Sequence, residues 1–380
     1  MATVHLTQLS DVVSMLPVIG PFEAANSRTW DLFVCANGFE PRSIEVAKAL
    51  VASGHSAARS LVFEYSTNIS DNHGLKPELL KLLNALGANP EFIDVDGDNP
   101  GAAIARAIES QRALTDRPLR VAFDVSASTN RATMTAFRAL SSSDVELTVL
   151  YAEAGSYHPT REEFEDLMRH LGDPHNGLEW GVGDVVVASD GFPGYHVDQL
   201  PDFLVLMAGY NRDRARAIIS YVDPSLLQEA GSTPDLGSSQ EADVEGRPVA
   251  WIVGRPRLDE DEWRIDAQRK IHGISDSALR RTVSTFDYRK TVEELEALYA
   301  PRRGDCRMSL SPMGSKMQAI GAAVFCILRP DVRVLFAKPK GYNASAYSKG
   351  CKGIWTINFG SMRKFMATLD RLDTLAFVDD

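Results

Sequence analysis

VLYAEAGSY at residues 149–157 and VLFAKPKGY at residues 334–342 are one phrase written twice. Val149/Val334, Leu150/Leu335, Ala152/Ala337 and Tyr157/Tyr342 are identical, while Glu153 in the first copy is matched by two lysines, Lys338 and Lys340, in the second. An apolar run followed by a polar stretch with Gly and then Tyr reads as a strand entering a turn. The surroundings repeat as well. Each phrase follows a DV pair (Asp144-Val145, Asp331-Val332), a helical pattern, and a strand ending in small polar residues, DVSASTN (124–130) and SPMGSK (311–316). Each half also begins with a strand that runs into Gly, an aromatic and an arginine: ANGFEPRS (36–43) and AGYNRDRA (208–215). Matched features in the same order predict an internal duplication. The fold class expected is α/β, with two tandem Rossmann-like parallel-sheet units related by a pseudo-twofold axis.

Working outward, apolar runs alternate with helical patterns. The first series of strands reads DLFVCAN (31–37), SLVFEYS (60–66), EFIDVD (91–96), RVAFDVS (120–126) and ELTVLYAE (146–153). The second reads FLVLMAG (203–209), VAWIVG (249–254), TVSTFDY (282–288), RMSLSP (307–312) and VRVLFAKP (332–339). The expected division is an N-terminal helical extension over 1–29, a first unit over 30–157, a connector over 158–202, a second unit over 203–360 and a C-terminal helix and tail over 361–380. Residues 228–248, QEAGSTPDLGSSQEADVEGRP, are poor in apolar residues and read as a flexible insertion in the second unit.

A chain of 380 residues exceeds the size at which one core stops growing, which supports two domains. No apolar run approaches the roughly 20 residues of a membrane span. The start of the chain lacks a secretory pattern, so a cytoplasmic protein is expected. Cys35, Cys306, Cys326 and Cys351 form no CxxC pair, and neither a metal nor a cofactor is expected. DVDGDNP (94–100) has the acidic spacing of a metal loop, but Asp98 or Asn99 reads better as the cap of the following helix.

The net charge of −11 argues against nonspecific nucleic-acid coating. Yet residues 301–360 hold ten Lys or Arg and two acidic residues, a local +8 that suggests an anion site or a nucleic-acid contact. Ligands of parallel sheets bind at the carboxyl ends of the strands. The residues falling there in the first half are Asn37, Glu40, Arg42, Asp124, Ser126, Ser128, Asn130, Tyr157 and His158. In the second they are Arg212, Ser311, Gly314, Ser315, Lys316, Lys338, Lys340, Tyr342, Tyr347 and Lys349. No GxGxxG or GxxxxGK[ST] occurs, which removes support for dinucleotide redox chemistry and P-loop hydrolysis. Asp124, His158 and Glu40 are the acid or base candidates should the protein be an enzyme, a question the sequence leaves open.

SPMGSKMQAIGAAVF (311–325) resembles the small-residue, Gly, Lys turn that opens a helix in the CARF and SAVED families, and two such units in one chain match SAVED proteins. The resemblance implies a sensor of cyclic or linear oligonucleotide second messengers in prokaryotic antiviral defence, acting through an effector partner. It further implies that Lys316, Lys338, Lys340 and Lys349 neutralise phosphates while Tyr157, Tyr342 and Tyr347 stack on bases, in a cleft between the two units. The alternatives are a nucleotide or sugar-phosphate transferase or hydrolase, and a structural subunit of a defence or nucleic-acid complex.

Overall fold

The structure, a computed structural model, describes residues 13–23, 28–66, 69–97, 99–169, 179–187, 191–195, 200–223, 248–343 and 347–375. The expected N-terminal helix lies mostly, and the insertion over 228–248 almost wholly, outside the described residues. In chain order the first elements are β1 (Ile19–Pro21), β2 (Thr29–Ala36), α1 (Glu45–Ala52), β3 (Ser56–Glu64), α2 (Ile69–Asn72) and α3 (Lys76–Ala85). There follow β4 (Asn89–Asp94), α4 (Pro100–Arg112), β5 (Leu119–Asp124), α5 (Asn130–Ser141), β6 (Val145–Tyr157), α6 (Arg161–Arg169) and β7 (Glu179–Val187). Next come β8 (Asp202–Met207), α7 (Arg212–Val222), β9 (Val249–Arg255), α8 (Trp263–His272), β10 (Leu279–Ser284) and α9 (Tyr288–Tyr299). The chain closes with β11 (Arg307–Pro312), α10 (Lys316–Leu328), β12 (Arg333–Tyr342), β13 (Ser348–Ser361) and α11 (Met362–Leu375).

Two α/β units result. The first comprises Met1–His158 and Ala344–Asp380, the second Pro159–Asn343. The first sheet has the order β1-β13-β6-β5-β2-β3-β4, with β4, β3, β2, β5 and β6 parallel and β13 antiparallel to β6. The second has the order β10-β9-β8-β11-β12-β7, parallel except for β7, which runs antiparallel to β12. Apart from the extra edge strand β1 of the first, the two sheets therefore share one strand order, including an antiparallel sixth strand beside the fifth.

That sixth strand corrects the sequence division. Residues 348–361 were expected at the end of the second unit, but they pair with β6 and belong to the first. Likewise the expected connector contains α6 and β7, which belong to the second unit. The cause is physical: KGCKGIWTIN and EWGVGDVVV carry glycines that blur strand periodicity, and local patterning is silent about pairing partners. A smaller correction concerns TVSTFDY, where the strand ends at Ser284 and Asp287 caps α9 through Arg289 N at 3.1 Å.

Local signals otherwise act as the sequence suggests. Helical runs stop at Gly54 and Gly87, whose φ of 69° and 77° place them in the left-handed region that glycine enters without steric cost. Asn99 Oδ1 accepts from Ala102 N at 3.1 Å and caps α4. Cys35 and Cys326 are buried thiols. In the first unit Phe33, Cys35 and Val62 pack under Leu50, Leu79 and Leu83 of α1 and α3. The phenyl ring of Phe359 on β13 meets Phe137 of α5 edge-on at 5.1 Å and Phe365 of α11 at 5.2 Å. At the amino edge of each sheet an aspartate receives an arginine: Asp31 from Arg117 at 2.7 Å, Asp202 from Arg307 at 2.7 Å. Among the described residues no helix is long and apolar enough to cross a membrane.

In the second unit α10 is buried from Met317 to Leu328. It approaches α9 so closely that a Cβ on Gly321 would collide with the Tyr288 carbonyl oxygen and Thr291 Cβ. Alanine would gain about 1 kcal/mol of helix propensity there. A backbone carbonyl cannot yield, and overpacking of about 1–3 kcal/mol outweighs that gain. Gly321→Ala is expected to lower the chemical-denaturation midpoint; a stabilised variant would show that α9 and α10 have room to part.

Candidate functional site

The carboxyl edge of the first sheet begins with the turn after β2. Pro41 fixes the backbone at the start of the 3-10 segment Pro41–Ile44, which sets Glu40 and Arg42 over the sheet. Their side chains are 9% and 6% exposed and form an ion pair at 2.9 Å. Arg42 NH1 also lies 3.4 Å from both Tyr151 Oη and the Ala152 carbonyl oxygen. Tyr151 and Tyr157 share a hydrogen bond of 2.7 Å between their hydroxyls, and the Ala154 N–H donates to Tyr157 Oη at 3.3 Å. Ser348, at the start of β13, donates its hydroxyl to Glu40 Oε2. Burial, the largest effect, disfavours the Arg42 charge, but Glu40, Tyr151 and Tyr157 together outweigh it and hold the guanidinium protonated.

Asp124 ends β5 beneath this network. Its Oδ1 accepts from Ser126 N at 2.9 Å and Ser126 Oγ at 2.5 Å, and Ser126 Oγ accepts from Ala152 N at 2.8 Å. The turns after β2 and β5 touch: a Cβ on Gly38 would lie 3.0 Å from Ala127 Cβ. Sequence reasoning thus placed Glu40, Arg42, Asp124, Ser126 and Tyr157 together, and missed Tyr151 and Ser348. Ser348 carries no local signal, since its partner Glu40 is in the first turn of the chain's first unit.

The remaining candidates of this edge have mostly internal roles. Tyr65 Oη accepts from Thr129 N at 2.9 Å, and Thr129 caps α5 through Ala132 N at 3.2 Å, beside Ser128 and Asn130. Arg131 donates to the Val95 and Gly97 carbonyls. His158 is buried, and its backbone N–H donates to Tyr347 O at 2.9 Å. The Tyr347 ring lies edge-on to Phe39 at 5.3 Å, and Lys349 is exposed on β13. Glu153 is buried and accepts from Trp355 Nε1 at 2.9 Å. Asn37 is buried with Oδ1 unpartnered, as is Ser311 Oγ at the end of β11 in the other unit.

In the second unit the edge is built alike and charged differently. Arg214 Nε donates to the Ala337 carbonyl at 2.8 Å, the position that matches Ala152 in the shared phrase, so Arg214 does for β12 what Arg42 does for β6. The sequence pattern pointed instead to Arg212, which is exposed at the first position of α7. Ser315 caps α10, accepting from Gln318 N at 3.1 Å and donating to Thr285 O at 2.6 Å; Gln318 Oε1 accepts in return from Ser315 N at 2.9 Å. A Cβ on Gly314 would strike Gln318 Oε1, so the capping box itself requires that glycine. Lys316 is the first residue of α10, and Lys338, Lys340 and Tyr342 alternate onto one face of β12.

The expected +8 of residues 301–360 is not one patch. Arg302, Arg303, Arg307, Arg329 and Arg333 lie toward the amino edge, where Arg307 pairs with Asp202, Arg329 with Glu296 and Arg333 with Ser309 Oγ. Lys349 and Lys352 belong to the first unit. What remains of it at the carboxyl edge of the second unit is Lys316, Lys338 and Lys340, joined by Arg212, Asp213 and Arg214; the same edge also carries Glu179 opposite Tyr342, Asp259 to Glu262 after β9 and Asp287 after β10. The matching turns of the first unit carry Glu40, Asp124 and Glu153. No protein-family model matches the chain, and a search of curated proteins finds none that matches.

Two buried groups give pH signatures of opposite sign. Burial, aided by Arg212, pushes His272 down from 6.5 to about 4 although its Nε2 lies 3.0 Å from the Gly209 carbonyl. The unfolded chain therefore binds the proton first, and this contribution to stability is complete above about 6.5 and lost as pH falls toward 4. Burial pushes Asp124 up from 3.8 to about 7, against its Ser126 hydrogen bonds and Arg42. Here the folded state holds the proton more tightly, so stability declines as pH rises from about 4 to 7. In urea midpoints measured from pH 4 to 8, His272→Gln should lift the acid-side loss and Asp124→Asn the loss toward neutrality; unchanged slopes would refute either assignment.

Proposed function

We propose that the protein binds a phosphate-bearing nucleotide at the carboxyl edge of its second unit, as the ligand-binding half of a sensor. The observation that carries this is that Lys316 opens α10 after β11, Arg212 opens α7 after β8, and Lys338 and Lys340 lie in the carboxyl-terminal half of β12, all toward the same sheet edge, where helix-terminal N–H groups and cations favour an anion together. The edge lies outside the carboxyl ends of β8 and β11, where the strand order reverses, the usual place for ligands in such sheets. Tyr342, on the same face as the two lysines, supplies a ring for a base.

The shared strand order supports descent of both units from one duplicated ancestor. So does a finer detail: Tyr157 and Tyr342 each face the first residue of their antiparallel partner, Ser348 and Glu179. Both ladders also shift register at the matching point of the phrase, beside Glu153 in one and Lys338 in the other. On this reading the second copy kept the anion-binding role and the first exchanged it for a buried acidic network. A CARF- or SAVED-like sensor of an oligonucleotide messenger, working through a defence effector in the cytoplasm, is the form of the proposal that fits two such units. The enzyme alternative would use Asp124 or Glu40, which are buried and hydrogen-bonded within the fold.

A thermal-shift and calorimetric panel of mononucleotides, cyclic dinucleotides, cyclic oligoadenylates and sugar phosphates tests the reading, because a ligand specific to the native state raises the melting temperature. At least one anionic compound should bind, with affinity falling as salt rises. Lys316→Ala and Lys340→Ala should each weaken binding about tenfold or more, and Lys352→Ala, on β13, should not. No shift with any compound would refute the proposal, and turnover of the bound nucleotide would make the protein an enzyme.

A further inference from the structure

We propose that the amino edge of the second unit is a further binding site, one that takes a carboxylate on Arg333 and Arg307. The site lies on three neighbouring strands. Arg307 of β11 stands opposite Asp202 of β8, and Ser309, two residues on, stands opposite Arg333 of β12. Residues paired in register, or two apart on one strand, point to the same face, so all four side chains share a side of the sheet. Arg307 Nη2 donates to Asp202 Oδ2 at 2.7 Å, and both side chains keep some exposure, 21% and 17%. Arg333 donates from Nε and Nη2 to the Ser309 hydroxyl at 3.1 and 3.0 Å.

What marks the place is a positive charge that the fold does not answer. Among the described residues Arg333, half-buried, has a neutral hydroxyl as its hydrogen-bond acceptor and no acid in ion-pair contact. Burial, the largest effect, and Arg307 push its affinity for the proton below the ordinary value, against Asp202 and the Tyr221 hydroxyl. Beside it Arg307 Nε and Asp202 Oδ1 are buried without a partner. On the same edge Glu296 pairs with Arg329, Asp331 accepts from the Tyr299 hydroxyl, and Asp305 and Asp223 stand in the turns before β11 and after α7. The first unit shows its own edge completed. Asp31 receives two nitrogens of Arg117 and the Arg120 N–H, each at 2.7 Å, and Thr148, just before the shared phrase, stands opposite Ala122 where Arg333 stands opposite Ser309. Two arginines less Asp202 leave one positive charge. A carboxylate neutralises it and fits the planar fork of Arg333, whereas a phosphate dianion would overrun it beside Asp202. Free acids and the side chains of an acidic peptide carry that same group. Lys316, Lys338 and Lys340 lie at the opposite edge of the sheet and take no part.

Replacing chloride by acetate at constant ionic strength tests the site on the full chain, read by melting temperature and by saturation transfer to the acetate methyl. Acetate should raise the melting temperature saturably. Arg333→Gln should weaken acetate binding about tenfold or more, and Lys316→Ala should not. Arg333→Lys, which keeps the charge and loses the fork, should weaken it too and serves if Arg333→Gln does not fold. A glutamate hexapeptide that displaces acetate at a lower concentration makes an acidic peptide the source of the carboxylate; failure to displace leaves a free acid as the source. No saturable effect, an effect untouched by either Arg333 variant, an effect lost in Lys316→Ala, or displacement of acetate by inorganic phosphate at a lower concentration would each overturn the site.

Discussion

The structure rests on one act of strand pairing, the antiparallel addition of β13 to β6. Its ladder runs from Ser348 opposite Tyr157 to Ser361 opposite Glu146. It covers an otherwise open strand, brings Phe359 against Phe137, and delivers α11 to the same face through Phe365. It also carries Ser348 to Glu40 and Trp355 to Glu153, so two buried acids of the first unit receive hydrogen bonds from residues of the far end of the chain. Without β13, Glu40 would lose the Ser348 hydroxyl and β6 would present unpaired backbone groups to solvent.

Around that pairing, two units of one strand order hold different chemistry at equivalent places. The amino edges match, with Asp31 and Asp202 each receiving arginine. So does the arginine that reaches the fifth strand, Arg42 or Arg214. The divergence lies at the carboxyl edges: Glu40 against Asn211, Asp124 against Ser311, Glu153 against Lys338. Burial explains why the first set does not act as a surface charge. Asp124 is held near neutrality by desolvation, and Arg42 is committed to Glu40 and to backbone. In the second set Ser311 is buried, Asn211 caps α7, and Lys338 lies half-buried on β12, where its charge stays partly hydrated.

How much of this was legible in the sequence depended on the range of the interaction. The five parallel strands of each unit were readable because burial on both faces gives unbroken apolar runs, as in FLVLM and VLYA. Gly54, Gly87 and Asn99 were readable because caps act within four residues. The sixth strands were not: β13 mixes Lys349, Gly350, Lys352 and Gly353 into a half-exposed face, and its partner is set by tertiary pairing. The site was legible in composition but not in geometry. Lys316, Lys338 and Lys340 do share an edge, whereas five arginines from the same stretch of sequence lie toward the opposite edge, because a strand of six to ten residues carries its two ends to opposite edges of a sheet.

The exchange of sixth strands has a consequence for the making of the protein. As the chain is synthesised from its amino terminus, β2 to β6 emerge and can assemble long before β13 exists, for the whole of Pro159–Asn343 is translated in between. During that interval β6 is an open sheet edge at the ribosome, and β7, the next strand to appear, is the wrong partner for it: the same antiparallel sense is on offer with a different register. The high sequence separation of the β6 and β13 rung makes the correct closure slow. The nascent first unit is therefore the stage at which the chain is most exposed to mispairing and aggregation, and one where a holding chaperone would find its substrate.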